Sequence, residues 1–445
     1  MEQIATENAH RIVWRLAGPL ILSNLTIPLL GAVDTAVVGQ LPDPVYIGGV
    51  AIGGIIFNYL YWGFGFLRMG TTGLTAQAAG AGDVDEVRAS LVRAGVLSGS
   101  IAVALLLLQG VIGRIAFALL EASPAVEAQA RLYFHVRIWG APAALMNYAI
   151  LGWLFGVQRT RAALVFQLVQ NGVNILLDLL FVLQFGWGVG GVAAATAISQ
   201  YVGVGVGLAY VGGTLKRLGG RWRRDLALDR KRIRTLVGVN RDIFLRTLAL
   251  ITGFAYFTQR GATMGDVTLA ANAVLLNFQN FQAYGLDAFA HAAEILAGNA
   301  AGTRNRRTFS RAVRVTTIWA VGIAAVAALV FLVFGKGMVR LMTASPEVRI
   351  AAYAVLPWAV VSPLVSVWSY QLDGIFIGTT RAREMRNAMW LSLALFVVVE
   401  NLLRPAMGNH GLWLALMLFM ATRAVTLGSA YPKILRAIES EPPTR

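Results

Sequence analysis

Along this chain, long apolar runs alternate with short polar breaks. Twelve runs are long enough to cross a bilayer: 12–38, 47–78, 91–117, 130–155, 162–183, 189–213, 235–258, 268–298, 310–334, 350–378, 386–406 and 410–432. A helical span needs about 20 residues, so the pattern predicts an all-α polytopic membrane protein. The breaks are unequal. With the N-terminus inside, the loops facing the cytoplasm hold Arg159 and Arg161, nine Lys/Arg from Lys216 through Arg234, then Arg304, Arg306, Arg307 and Arg311, and Arg381, Arg383 and Arg386. The opposite breaks at 41–46 and Gly186–Gly190 hold none. This bias predicts cytoplasmic N- and C-termini.

An internal repeat divides the runs into two sets of six. Ser123-Pro124 recurs as Ser345-Pro346 (345 − 123 = 222), Gly156 as Gly378 (378 − 156 = 222) and Gly80 as Gly302 (302 − 80 = 222). Asp178 maps onto Glu400 by the same shift. The domain reading is a six-helix bundle over 1–218, a basic linker at 219–234 and a second six-helix bundle over 235–445. Six is even, so both halves enter from one side, as parallel repeats with a site between them near the midplane.

Composition agrees with a membrane protein: 57% of 445 residues are hydrophobic, 13% are charged, and mean hydropathy is +0.64. The net charge of +16 raises the question of nucleic acid. The basic residues sit in loops and no recognition motif accompanies them, so nucleic acid is not the expected partner. The chain has no cysteine, which excludes disulfides and thiolate chemistry. Its first residues lack a basic n-region and a small-residue cleavage site, so no signal peptide is predicted.

The candidate chemistry is sparse. The first run carries one acid, Asp34, together with Pro19 and Pro28. An ionisable residue inside a membrane is a functional candidate by default, and each proline removes a backbone hydrogen bond and can hinge the helix. In the eighth run Tyr284, Asp287, His291 and Glu294 follow at spacings of three, four and three, which places them on one helical stripe. Asp373 stands in the tenth run with Tyr370 as its expected partner, and Glu400 has Arg404 four residues on. Phe57, Phe64, Phe66 and Met69 are candidates to line a cavity for flat lipophilic cations. No metal-ligand set is complete.

The motifs VDTAVVGQL, WGFGFLRMGTTGLTAQAAGAGD, LDAFAHAAEILAGNAAG and QLDGIFIGTTRARE together resemble the multidrug and toxic compound extrusion (MATE) family, in its DNA-damage-inducible-protein-F (DinF) branch. The resemblance covers essentially the whole chain. It implies twelve helices in two bundles arranged as a V, and antiport of lipophilic, mostly cationic compounds against protons or sodium. It implies a bacterial inner-membrane location and no cofactor beyond the ion gradient; because the parallel repeats already provide both halves, a monomer suffices. By the same resemblance Asp34 is the coupling carboxylate, with Asn174, Asp178, Thr196 and Asn147 as its polar neighbours. One departure stands out: the seventh run, 243–258, has no acid, and Asp242 lies only at its mouth. That weakens a sodium site in the second half and favours proton coupling through Asp34. The alternatives are a sodium-coupled antiporter of the same fold, or a flippase for lipids or lipid-linked precursors. No nucleophile constellation, zinc-protease motif or phosphate-binding loop supports an enzyme or an ATP-driven pump.

Overall fold

The computed structural model describes residues 9–41, 43–120 and 122–440, without the side chains of 27–29, 32, 35, 439 and 440. Among them every regular element is helical. The first half comprises α1 (Ala9–Val38), α2 (Pro44–Gly63), α3 (Phe66–Ala81), α4 (Val84–Leu119), α5 (Pro124–Arg137), α6 (Ala141–Gly156), α7 (Thr160–Asp178) and α8 (Gly188–Leu218). A four-residue α9 (Arg224–Ala227) precedes the second half: α10 (Arg230–Ala262), α11 (Asp266–Gly302), α12 (Arg306–Met342), α13 (Pro346–Gly378), α14 (Ala382–Met407) and α15 (Asn409–Ser440). Among the described residues nine segments are long and apolar enough to cross a membrane. The other three, α1, α10 and α11, have 30, 33 and 37 residues. At 1.5 Å per residue each exceeds the hydrocarbon thickness of about 30 Å. The two in the second half bury polar side chains, among them Arg246, Gln279, Gln282 and Glu294, which lowers their mean hydropathy.

Three predicted spans are less regular than hydropathy suggests. The span at 47–78 is broken at Phe64–Gly65 into α2 and α3. The span at 130–155 starts at Pro124 and tightens into a 3₁₀ turn at Ile138–Gly140. The span at 162–183 widens into a π turn over Leu179–Gln184, directly after Asp178. Breaks of this kind follow from local packing and from backbone bonding, and leave the hydropathy profile unchanged.

The chain packs into two compact units, residues 22–237 and residues 1–21 with 238–445. The start of α1 therefore belongs with the second half. There Trp14 meets Phe289 and Trp319 edge-on, at centroid distances of 5.6 and 5.0 Å. The basic stretch expected as a plain linker is docked on the start of α4. Arg88 donates to the carbonyls of Gly219 (2.7 Å) and Leu215 (2.8 Å), and its guanidinium stacks on Trp222. Arg93 donates to the Leu226 carbonyl at 2.6 Å, and Glu86 pairs with both Arg93 and Arg232.

Backbone geometry carries the repeat more sharply than the side chains do. The left-handed residues Gln158 and Thr380 are 222 apart (380 − 158), as are Gly82 and Arg304 (304 − 82) and Gly186 and Gly408 (408 − 186). Asp83 caps α4 through the Glu86 N–H, and Asn305 caps α12 through the Thr308 N–H, again 222 apart (305 − 83). The two halves thus turn their chains at matching places, with matching caps.

Each half is also clamped by a pair of glycines four residues apart. Gly152 and Gly156 of α6 press on the Arg68 carbonyl and Thr75 of α3, and Gly374 and Gly378 of α13 press on the Ala290 and Glu294 carbonyls of α11. A Cβ at any of the four would stand closer to its neighbour than real Cβ atoms come. Such small-residue pairs let membrane helices meet backbone to backbone. Gly374→Ala is expected to force α11 and α13 apart and to cost about 1–3 kcal/mol. A thermal melt of the purified protein in detergent checks this; an unchanged Tm would count against the close approach.

Candidate functional site

The polar residues of the first half converge on α7. Beyond Thr160 and Arg161 in its first turn, this helix is apolar except for one stripe, Gln167, Gln170, Asn171, Asn174 and Asp178, which share one helical face. α1 runs beside it in the same direction. Ser23 bonds Gln167, Asn171 Nδ2 donates to Thr26 Oγ1 at 2.9 Å, and further along Asp34 comes within interaction range of Asp178. On the other side stands α8, where Thr196 Oγ1 lies 3.5 Å from Asn174 Nδ2. One turn away, Asn147 of α6 donates to Gln170 Oε1 (3.2 Å) and to the Gln200 carbonyl (2.9 Å). The structure therefore brings Asp34, Asp178, Asn174 and Thr196 together, with Asn147 one layer further along the same column.

The column is largely buried and short of donors. Asp178 is 0% exposed and Asn174 1%, while Asp34 is half-buried. Both carboxyl oxygens of Asp178, Asp34 Oδ1 and Asn174 Oδ1 lack a hydrogen-bond partner of acceptable geometry among the described residues. The two carboxyls face each other without closing a bond of good geometry. Buried acceptors without partners cost several kcal/mol in such surroundings. They mark a place for something with positive charge or a proton to give.

The counter-charge is Arg137, which sequence reading missed. It ends α5, donates to Tyr133 Oη at 2.5 Å, and holds its guanidinium 5.1 Å from the centre of the Phe57 ring. Both Asp34 and Asp178 feel its charge. Arg137 falls inside a predicted span, which is the one sequence signal that marks it. Phe57, expected on a cavity wall, is 1% exposed and packs with Tyr61, Tyr133 and Phe134 beneath Arg137. Phe64 and Phe66 meet edge-on at the α2–α3 break, Phe66 is buried, and Met69 is half-buried. Pro19 is half-buried inside α1, which runs on through it; the side chain of Pro28 lies outside the described residues.

In the second half the acids are arranged differently. Asp373, paired in expectation with Tyr370, is instead held by two guanidiniums: Arg246, and Arg423 at 2.7 Å, both on its Oδ2. Burying a carboxylate in an apolar helix requires such partners. Asp242 is likewise paired with Arg386 (2.7 Å) and Arg241 (3.0 Å). Tyr284, Asp287 and His291 are half-buried along one stripe of α11, whereas Glu294 is fully buried where α13 presses on its backbone.

The repeat offset sharpens the contrast. Asp34 maps onto Tyr256 (256 − 34 = 222) and Asp178 onto Glu400 (400 − 178 = 222). Tyr256 Oη donates to Glu400 Oε2 at 2.7 Å; Arg260 reaches the same oxygen at 3.0 Å and Arg404 reaches Oε1 at 2.8 Å. The pair that is acid facing acid in the first half is phenol on carboxylate in the second, locked by two arginines. Among the described residues no three His, Cys, Asp or Glu group as a metal site.

The MatE family model matches residues 19–180 and 247–403. The DNA damage-inducible protein F of Escherichia coli (strain K12) is 40% identical over 95% of this chain and 92% of its own length. A MATE structure in the bent conformation aligns with TM-score 0.90, covering 99% of both chains at 19% identity. A MATE structure in the straight conformation aligns at 0.87 with the same coverage and identity. Fold, span and sequence agree: the chain belongs to the MATE family, in its DinF-like branch, and is an integral membrane transporter rather than an enzyme.

Proposed function

We propose that the chain is a secondary antiporter that exports lipophilic, mostly cationic compounds in exchange for protons, with Asp34 as the coupling carboxylate. The observation that carries this reading is the site's charge balance. Asp34 and Asp178 face each other beside the single guanidinium of Arg137, with buried oxygens lacking donors. Two carboxylates and one cation leave one negative charge over, and like charges repel strongly where water is scarce. One proton neutralises the set. Its loss leaves a negative charge that attracts a lipophilic cation; its return removes that charge and releases the cargo.

The motion belongs to α1. It carries Asp34 and its two prolines on one helix, and relatives of this fold have been solved in bent and straight conformations. Protonation of Asp34 changes what α7 can bond to on α1, which biases a helix already weakened at Pro19 and Pro28. The second half offers poorer coupling groups, because Asp373 and Glu400 already hold arginines. We place the transporter in a bacterial inner membrane as a monomer with both termini cytoplasmic, in line with its basic loops.

Sodium is the second reading, favoured by one observation. Asp178, Asn174 Oδ1 and Thr196 Oγ1 present oxygen atoms alone, which suits a hard cation as well as a proton. Ethidium efflux from everted vesicles under a proton gradient alone, or a sodium gradient alone, separates the two. Efflux on the proton gradient is expected. Efflux driven only by sodium would move the coupling to a cation held by Asp34 and Asp178. Transport under neither gradient would redirect the reading to a lipid flippase.

A further inference from the structure

Two side-chain bonds fasten α1 to α7 before the chain reaches the acids. The Ser23 hydroxyl donates to Gln167 Oε1, and Asn171 Nδ2 donates to Thr26 Oγ1 at 2.9 Å. Thr26 Oγ1 in turn donates to the Ser23 carbonyl at 2.7 Å. Its one proton is thus spent within α1, so the hydroxyl can only accept from Asn171. Gln167 and Asn171 are four residues apart (171 − 167) and Ser23 and Thr26 three (26 − 23), so each pair shares a helical face. The bonds form two adjacent rungs between helices that run in the same direction.

The rungs stand between the two prolines of α1, four residues after Pro19 (23 − 19) and two before Pro28 (28 − 26). They also follow the point where α1 changes company. Up to Ile21 it belongs with the second half, where Trp14 packs on Phe289 and Trp319; from Leu22 it belongs with the first. Each proline removes a backbone hydrogen bond and marks a place where the helix bends. A bend at Pro19 leaves the rungs and Asp34 on one rigid piece. A bend at Pro28 pivots on the rungs and swings Asp34, six residues on (34 − 28), relative to Asp178.

The repeat supplies a control. At the offset of 222, Ser23 and Thr26 become Leu245 and Leu248 (245 − 23, 248 − 26), and Gln167 and Asn171 become Met389 and Leu393 (389 − 167, 393 − 171). Pro19 and Pro28 become Arg241 and Leu250 (241 − 19, 250 − 28). The half whose acid is locked by arginines therefore has neither the prolines nor the rungs. Apolar side chains suffice there at the equivalent positions of α10 and α14. Polar rungs go with the half that carries the hinge and the facing acids.

We propose that Gln167 and Asn171 are positioning residues for the coupling carboxylate. By holding Ser23 and Thr26 they anchor α1 before Pro28, so a change of charge at Asp34 bends the helix there and leaves the preceding turns in place. The proposal rests on the reading of Asp34 as the proton-coupled acid. The charged and titratable groups facing Asp34 are Asp178 of α7 and Arg137 and Tyr133 of α5. The bend moves the acid relative to all three.

Because the chain has no cysteine, spin labels can be placed on the full-length protein without removing any. Leu107→Cys on α4, 79% exposed, serves as the fixed reference. It is paired with Leu25→Cys beside the rungs or with Ala36→Cys beyond Pro28, both exposed. Distances are measured by pulsed electron paramagnetic resonance in nanodiscs, in alkaline and in acidic buffer. A kink of about 20° acting over eight residues, about 12 Å, displaces the Ala36 label by about 4 Å. That shift is expected with acidification, while the Leu25 distance stays the same. In Ser23→Ala/Thr26→Val both distances are expected to follow pH, and Ser23→Thr/Thr26→Ser, which keeps the hydroxyls, restores the original pattern. A merely structural role would broaden the distances alike in both buffers without making the Leu25 label answer to pH, and would overturn the proposal. So would a Leu25 distance that already follows pH with the rungs intact. An Ala36 shift that survives in Asp34→Asn would instead overturn the coupling reading, and the proposal with it.

Discussion

Replacing Asp34 by asparagine is expected to reduce gradient-driven efflux of a lipophilic cation to the leak rate, with the protein still folded. The amide keeps the size of the side chain but holds no exchangeable charge, so the site can no longer alternate between charged and neutral states. Asp34 is half-buried and makes no salt bridge among the described residues, and Arg137, whose charge it feels, still has Asp178 nearby after the change. A coupling worth even 1.4 kcal/mol is tenfold in rate or equilibrium, so loss of coupling is read easily in vesicles. Wild-type efflux from Asp34→Asn vesicles would remove this residue from the mechanism.

The second large effect concerns stability, and it separates two residues that the repeat makes equivalent. Glu400→Gln is expected to destabilise the protein by about 2–4 kcal/mol, because Arg260 and Arg404 lose the carboxylate they share. The lower part of the range for broken buried pairs applies, since the two arginine side chains are 23% and 31% exposed. Asp178→Asn, 222 positions earlier (400 − 178), is expected to shift Tm far less and to abolish transport. Its carboxyl takes part in no hydrogen bond of good geometry, so the amide breaks none. Equal loss of stability in both variants would mean that the two halves use their acids alike, against the division of labour drawn here.

Much of this was legible in the sequence because membrane proteins write their constraints coarsely. A span must be apolar for about 20 residues, so the twelve segments could be read one by one, and Ser123-Pro124 against Ser345-Pro346 announced the repeat. The stripe on α7 was legible only in part: Asn174 and Asp178 stood out, whereas Gln167, Gln170 and Asn171 needed α1 and α6 beside them to acquire a role. Arg137 was hidden because its meaning lies in spatial neighbours, the acids of α1 and α7, far away in sequence. The pairing of Asp373 with Arg246 and Arg423 was hidden for the same reason, being set by how α10, α13 and α15 pack. Helix breaks at Phe64–Gly65 and after Asp178 were also beyond hydropathy, which averages over the turn in which a break occurs.

Proton movement itself tests the central claim most directly. In sodium-free proteoliposomes with a trapped pH dye, a downhill gradient of a lipophilic cation is expected to drive protons the opposite way through wild-type protein and not through Asp34→Asn. Proton movement at the wild-type rate in Asp34→Asn, or none in wild type while sodium restores counterflow, would contradict coupling of protons at Asp34.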